Sequence, residues 1–593
     1  MCAWSWAWPQ QIRDRHRLHV VHHAEYRLPV TTLQARTGFD PRRADLALWW
    51  LQHVRVVHGD AVQPPERISY AALRQVHTEA YLQSLQQPEV LADIFGLPAW
   101  DIASDAVLQT VRRACGGTLL AAQIAVEKRV PVVNLLGGFH HAKPAQGAGL
   151  CAVNDIAVAA SVLRNSGYSG RIGVIDLDAH PPDGTAACMT QLPGATWIGS
   201  LSGCDWGPLP GVDETVLPPG TGNLKYLEAL DRLLGRMPAC DLVFVLAGGD
   251  VLTGDPVGGL HLDLPGAWQR DRRVAEHLQG VAAVWLPAGG YTDRAWQVMA
   301  GAAWQLVRCR QPPLTARTDP MAMQFARTSR HMKDEALGSW GLDAQDVEEA
   351  LGLRRPEQHH HLLGFYTEEG LEYGLQSFGV LDTLRRLGYR EFAVHISVHE
   401  PGERMTLTGL FAEETEPCTL LELVVERKQD AGGPVLYVHW LSLRHPKGSF
   451  ARDRLRLPGQ EVPGLGLARE AGELLARMAS RLHVQAVVLR PAWFHIAYVA
   501  RYRYQFRNPE VQGRFEALIR DLRHMPSLQA PGGNLSLAQA SQALAQGQIL
   551  IQRDGKQPVV YQWESEEMAD EVRTDSHTQQ AQRESGCIRF QLA

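Results

Sequence analysis

The first half of this 593-residue chain predicts an α/β fold, a parallel sheet with helices on both faces. Three observations predict it. Four short apolar runs, at residues 131–136, 172–175, 242–247 and 282–286, have the length and continuity of strands buried on both faces. Helical stretches separate them, of which 116–129 (GGTLLAAQIAVEKR) is the clearest. Each run also ends in glycines and polar residues, at the carboxyl ends where open parallel sheets hold their ligands.

The first run ends in Gly137-Gly138-Phe139-His140-His141-Ala142. Adjacent side chains usually diverge, so a loop must aim both imidazoles, and alone the pair suits a surface or metal site as well as proton transfer. The second run leads into Asp176-Leu177-Asp178-Ala179-His180-Pro181-Pro182-Asp183-Gly184. Asp176, Asp178 and His180 share one parity and would point together if the extended geometry persisted. Carboxylate oxygens and an imidazole nitrogen suit zinc, and ligand type alone leaves manganese, iron and cobalt open. The third run, DLVFVLAGGD at 241–250, ends on Asp250, a third candidate ligand. The fourth runs through Pro287 into Ala288-Gly289-Gly290-Tyr291, placing a phenol that could donate to an oxyanion, or simply pack, beside glycines that let the backbone approach a ligand.

In this order the four clusters resemble the zinc-dependent histone deacetylase family, including its acetylpolyamine amidohydrolase members. Gly149-Leu150-Cys151-Ala152-Val153-Asn154-Asp155-Ile156-Ala157 is similar to the family's GFCxxNDIA, and Val216 to Gly222 (VLPPGTG) to its PLPPGTG. LRQVHTEAYL at 73–82 resembles the VHxxxYL element, with His77 and Tyr81 in structural roles. The resemblance covers residues 18–313 and implies a three-layer αβα parallel sheet of arginase-deacetylase type. It implies one zinc per chain on Asp178, His180 and Asp250, and admits a structural monovalent cation. It further implies that His140 and His141 face the attacking water and the leaving amine, oriented by Asp176 and Asp183 respectively, with Tyr291 on the oxyanion. Which histidine is base and which acid stays open. Arginase-like relatives of the fold hold two manganese ions, but their DAHxD pattern needs a carboxylate where this chain has Pro182, which favours one metal.

Departures from the family pattern bear on substrate and rate. Pro181-Pro182 replaces the usual residues of DxHHGDG and removes two amide donors. Gly149, Leu150 and Leu201 are the expected substrate wall, with Leu150 and Leu201 where an aromatic pair is common, so the tunnel is expected to be aliphatic and wide. Ala288 begins a loop that in the family is GGGGY, and is expected to stiffen it.

The chain is too long for one ordinary domain. Residues 1–17 read as a tail, 18–313 as the deacetylase-like domain, 314–340 as a linker, 341–563 as a separate α+β domain and 564–593 as a polar tail. With 45% hydrophobic and 21% charged residues, no long apolar run and no leader pattern, the chain reads as cytoplasmic, without a membrane partner. Nine cysteines without paired spacing read as free thiols. A net charge of −6 gives no basic field for nucleic acid.

In the second domain a helical stretch leads into strands at 390–398, 405–413, 419–427 and 435–443, then a Gly-rich turn, a helix and a further strand. That order is similar to an N-acetyltransferase core, where such a turn presents amides to acetyl-CoA pyrophosphate. Gly464 and Gly466 have the spacing, but Glu461 stands where that family has Gln or Arg, and an ordinary helix start is the alternative. The expected function is hydrolysis of an N-acyl amide, on an acylated lysine protein or a small acylated amine. The alternatives are a non-catalytic acyl-binding module and a bifunctional deacetylase plus acyltransferase. The sequence gives no oligomeric state.

Overall fold

A computed structural model of the chain describes residues 18–593 other than 31–32, 309, 316–317, 339–360, 399, 449, 451–454, 530–534 and 571–574. The expected tail 1–17 lies outside the described residues. The chain divides into two compact units, Met1–Met323 and Gln324–Ala593.

The first unit is built on eight strands: β1 His19–Val21, β2 Val62–Gln63, β3 Pro131–Asn134, β4 Ile172–Asp176, β5 Thr196–Ser202, β6 Val212–Val216, β7 Leu242–Leu246 and β8 Ala282–Leu286. They form one sheet in the order β2-β1-β3-β8-β7-β4-β5-β6, and every pairing is parallel. Every residue of β4, β7 and β8 is buried, as an apolar run under helices requires. Asp176, Leu246 and Leu286 lie side by side in the register, so three central strands end at one level. The sequence-predicted α/β parallel sheet is the fold observed.

At the edge of the same sheet, helix Arg43–His53 buries Asp45. Arg27 donates to its Oδ2 at 2.8 Å, and His22 lies 3.0 Å from Oδ1. Burial pushes this carboxyl up, but Arg27 and His22 outweigh it and hold the pKa at about 2. A depressed folded-state pKa stabilises above the unfolded value, and that contribution disappears as pH falls through about 4 towards 2. Asp45→Asn is therefore expected to cost roughly 2 kcal/mol near neutral pH and about half as much near about pH 3. Urea melts of both proteins at the two pH values check this; a gap that does not narrow would contradict it.

The second unit carries β9 Tyr389–Val398, β10 Glu403–Phe411, β11 Cys418–Asp430, β12 Gly433–Leu443, β13 Val487–Leu489, β14 Gln505–Phe506, β15 Ile549–Arg553, β16 Val559–Val560, β17 Met568–Ala569 and β18 Ile588–Leu592. β9 to β12 form the expected antiparallel meander. β13 joins β12 in parallel after the crossover helix Ala468–Arg481, and β17 and β14 complete the order β14-β17-β13-β12-β11-β10-β9.

Two expectations are corrected here. The stretch read as a linker contains helix Pro320–His331 and a 3₁₀ turn at Asp334–Ala336, with Met332 and Leu337 in the core of the second unit. The polar tail is folded too: β18 pairs with β15, and Ile588 and Phe590 are buried. Its polar residues are those of a one-sided helix, Asp575–Gly586, whose Ala581 is buried. The described cysteines are all unpaired, and no helix among the described residues is long and apolar enough to cross a membrane.

Candidate active site

The four clusters follow β3, β4, β7 and β8, which are neighbours at the centre of the sheet, so residues far apart in sequence converge over its carboxyl edge. Asp178, His180 and Asp250 come together there, with one donor atom from each within 4.8 Å of the others. His180 Nδ1 lies 3.0 Å from Asp178 Oδ1 and 3.1 Å from Asp250 Oδ2. The strand period does not extend through this motif: β4 ends at Asp176, and the bends after it bring Asp178 and His180 to Asp250.

The donor set fits a divalent cation on three counts. Asp250 Oδ1 is buried and has no hydrogen-bond partner. A Cβ on Gly289 would lie 2.6 Å from Asp178 Oδ2 and 2.8 Å from Asp250 Oδ2, so only glycine closes the cradle this tightly. The electrostatics also demand positive charge. Burial raises both carboxyls; facing His140 and His180 holds Asp178 well below the carboxylate range, whereas the Asp178 charge adds to burial and keeps Asp250 well above it. Burial works against a charged His180, yet hydrogen bonds to the two carboxylates push it up to about 12. Two buried carboxylates brought together in this way favour a positive charge between them. The expected monovalent cation draws no support from this cluster.

The carboxylates fix themselves through the backbone. Gly289 N–H donates to Asp178 Oδ2 at 2.6 Å, and Ala179 N–H to Asp250 Oδ2 at 3.0 Å. Behind them Arg270, fully buried on helix Leu264–His277, donates to Gly248 O at 2.8 Å and Leu177 O at 3.3 Å.

His140 and His141 stand over the donors with ring centroids 4.0 Å apart. Each Nδ1 is engaged by its own carboxylate, His140 by Asp176 at 2.9 Å and His141 by Asp183 at 2.8 Å. That leaves each Nε2 to exchange protons; on His140 it is 3.6 Å from Asp178 Oδ1. Burial lowers His140, but Asp176 and Asp178 outweigh it and raise the pKa to about 9. Burial and the neighbouring His140 lower His141 to about 4, against Asp183. Asp183 shares its charge with Lys143, 2.9 Å from its other oxygen.

The loop that aims both rings is held by the NDIA segment. Asp155 accepts from Gly138 N–H at 3.0 Å and Phe139 N–H at 2.7 Å. Asn154 caps helix Asp155–Asn165 through Ala157 N–H, and its Nδ2 donates to Ala142 O at 3.3 Å. His77 and Tyr81 take structural positions here: His77 accepts from Asn154 N–H, and Tyr81 Oη donates to Ala152 O at 2.6 Å. The double proline starts helix Asp183–Met189, where two missing amides remove no internal bond.

Tyr291 lines a cavity of about 40 Å³ together with His140, His141, Gly149, Leu150 and Asp178. Burial and the charges of Asp178 and Asp250 keep its phenol protonated, well above its ordinary range. Its backbone N–H donates to Asp255 at 2.8 Å. Sequence reasoning missed Arg43, buried beside the same cavity, whose guanidinium donates to Ala288 O at 2.5 Å and Gly289 O at 3.3 Å. Ala288 sits at φ +45°, a left-handed conformation that costs a non-glycine residue about 1–2 kcal/mol, and Arg43 is what holds it.

One wall differs from expectation. Leu201 is fully buried within β5 and does not line the cavity, because it belongs to the strand rather than to the loop beyond it. Trp206, on that loop, lies with its ring 5.3 Å from His141 and 6.0 Å from His180 and is half exposed. The mouth is therefore aromatic on this side and aliphatic at Leu150. In the second unit, Gly464 bridges Arg444 and Gly466 (φ +71°) precedes helix Ala468–Arg481, but Glu470 in its first turn joins Glu461 in opposing an anion there.

The chain is similar to several known proteins. Residues 37–199 match the histone deacetylase domain. An uncharacterized protein of Picosynechococcus sp. is 32% identical over 293 residues, 46% of this chain and 91% of that protein. Histone deacetylase 2 of Arabidopsis thaliana is 28% identical over 49% of this chain and 79% of its own length. A probable deacetylase of Archaeoglobus fulgidus is 28% identical over 38% and 68%. The crystal structure of an HDAC homolog from Aquifex aeolicus covers 50% of this chain and 85% of its own, with 21% identity and a TM-score of 0.42. The sequence likenesses and the site together define the class, a hydrolytic deacetylase. The chain belongs to the histone deacetylase family.

Proposed function

We propose that this protein hydrolyses a linear N-acyl amide, an acetyl-lysine side chain or an acetylated polyamine, to free amine and carboxylate, with one zinc held by Asp178, His180 and Asp250. The observation that carries this reading is the clustering of the three donors, one of which, Asp178, lines a cavity together with two carboxylate-held histidines and a protonated phenol. Zinc at these donors supplies, when bound, polarisation of the amide carbonyl and a lowered pKa for water.

The rest of the chemistry belongs to the chain. Water must lose a proton as its oxygen bonds the acyl carbon, and the amine must gain one as the carbon–nitrogen bond breaks. The Nε2 atoms of His140 and His141 serve these two proton transfers, one taking the proton from water and the other giving one to the amine, because each Nδ1 is committed to its carboxylate. Tyr291 donates its hydroxyl hydrogen to the oxygen that becomes negative. Leu150 lines the cavity and the Trp206 ring stands against His141 and His180, an aliphatic and a flat aromatic surface that suit an unbranched alkyl amine.

The test is acetate release from a panel of acetyl-lysine peptides and acetylpolyamines by zinc-loaded protein. Turnover by the parent, lost in Asp250→Ala and Tyr291→Phe, is the expected result. Zinc-loaded parent that binds acyl-lysine saturably but never releases carboxylate would replace this reading by the binding-module one.

A further inference from the structure

A second cavity, of about 80 Å³, lies wholly within the C-terminal unit. It is enclosed by helices Glu368–Ser377 and Ala468–Arg481 and by the face of the meander, with Leu375, Leu421, Leu423, Leu475 and Met478 among its walls. The space is several times the roughly 10–15 Å³ that one water needs, but it offers almost no polar partners, so it favours a hydrocarbon chain over water.

Two side-chain positions make this more than a packing defect. Helix Glu368–Ser377 carries glycines at 370 and 374, which weaken a helix interior relative to alanine. Gly370 is required by close packing, since a Cβ there would lie 1.9 Å from Leu337 O. Gly374 is not, because the nearest atom to its Cβ would be Leu337 Cδ2 at 3.8 Å. What glycine at 374 accomplishes is an open cavity.

The second position is Arg477, on the cavity wall. Its Nε is buried without a hydrogen-bond partner. Its terminal Nη2 lies 4.0 Å from Glu473 Oε2, while Arg503 holds the other oxygen of that carboxylate, Oε1, at 2.6 Å. Arg481, also on the wall, is already held by Asp334, Ser329 O and Met332 O. The unpartnered Nε of this guanidinium, beside an apolar slot, is complementary to one negatively charged oxygen on an unbranched chain.

We propose that this cavity binds a linear aliphatic carboxylate, its chain among the leucines and its head group at Arg477. The site is separate from the amide-hydrolysing one and needs neither the metal nor that reading.

The experiment is calorimetric titration of the full-length protein with octanoate, decanoate, dodecanoate and 1-decanol. Saturable binding is expected, about fourfold tighter for each added methylene until the slot is full, with a negative heat-capacity change. Gly374→Leu fills the slot with a better helix former and should abolish binding while leaving the thermal melt and amide hydrolysis intact. Gly374→Ala, the milder change, should weaken it. Arg477→Gln should weaken decanoate at least about tenfold and leave decanol unchanged. No saturable binding by any chain, or binding unaltered in both Gly374 variants, would overturn the proposal. Decanol binding as tightly as decanoate would overturn the role given to Arg477.

Discussion

Asp250→Ala is expected to leave a folded protein that no longer holds zinc and no longer releases acetate. Asp250 contributes one of three donors, and its buried Oδ1 has no other partner to satisfy it. Losing a group that only hydrogen-bonds a metal ligand typically weakens metal binding about 10–100-fold, so losing a ligand should exceed about 100-fold. A ligand that binds only the native state stabilises it in proportion to the logarithm of its concentration, so zinc is expected to raise the parent's melting temperature. That rise should be absent in the variant. Metal analysis after gel filtration, paired with melts with and without zinc, reads both effects. A variant that keeps stoichiometric zinc would remove Asp250 from the donor set.

Tyr291→Phe separates chemistry from metal binding. The substitution keeps the ring, which packs 6.4 Å from Phe39, and removes only the hydroxyl. Since the phenol meets negative charge only as the carbonyl is attacked, kcat should fall about 10²–10³-fold with little change in KM or zinc content. The phenol is held protonated by burial and the nearby carboxylates, so its deprotonation should not set the alkaline limit of the parent's rate. Steady-state kinetics over the acetylpolyamine panel decides it. An unchanged kcat would leave Tyr291 as a packing residue.

Much of this site was readable because its residues end apolar runs, and a parallel strand buried on both faces announces itself without periodicity. The joins between clusters were not readable. Asp178 and Asp250 meet because β4 and β7 are neighbours, a fact of strand order that no local pattern carries. Arg43 lies in an ordinary helical segment, and only the fold brings it against Ala288 and Gly289. Leu201 stands where the family pattern puts an aromatic wall residue, but it belongs to the end of β5, and the ring beside His141 comes from Trp206 a few residues on, which the pattern does not mark. The C-terminal stretch has the composition of a tail because the helix Asp575–Gly586 is mostly polar, and Ala581, on its buried face, is too little apolar signal to reveal the packing. His77 and Tyr81, by contrast, fell where the VHxxxYL element suggested, as supports for the loop around Ala152 and Asn154.

Arg270 gives the site a property its donors do not have. The two loops carrying the carboxylates are drawn to one guanidinium through Leu177 O and Gly248 O, from a helix on the far side of the ligand atoms. The spacing of the two candidate carboxylates is thereby tied to the seating of Leu264–His277, through a residue that is not itself one of the donors.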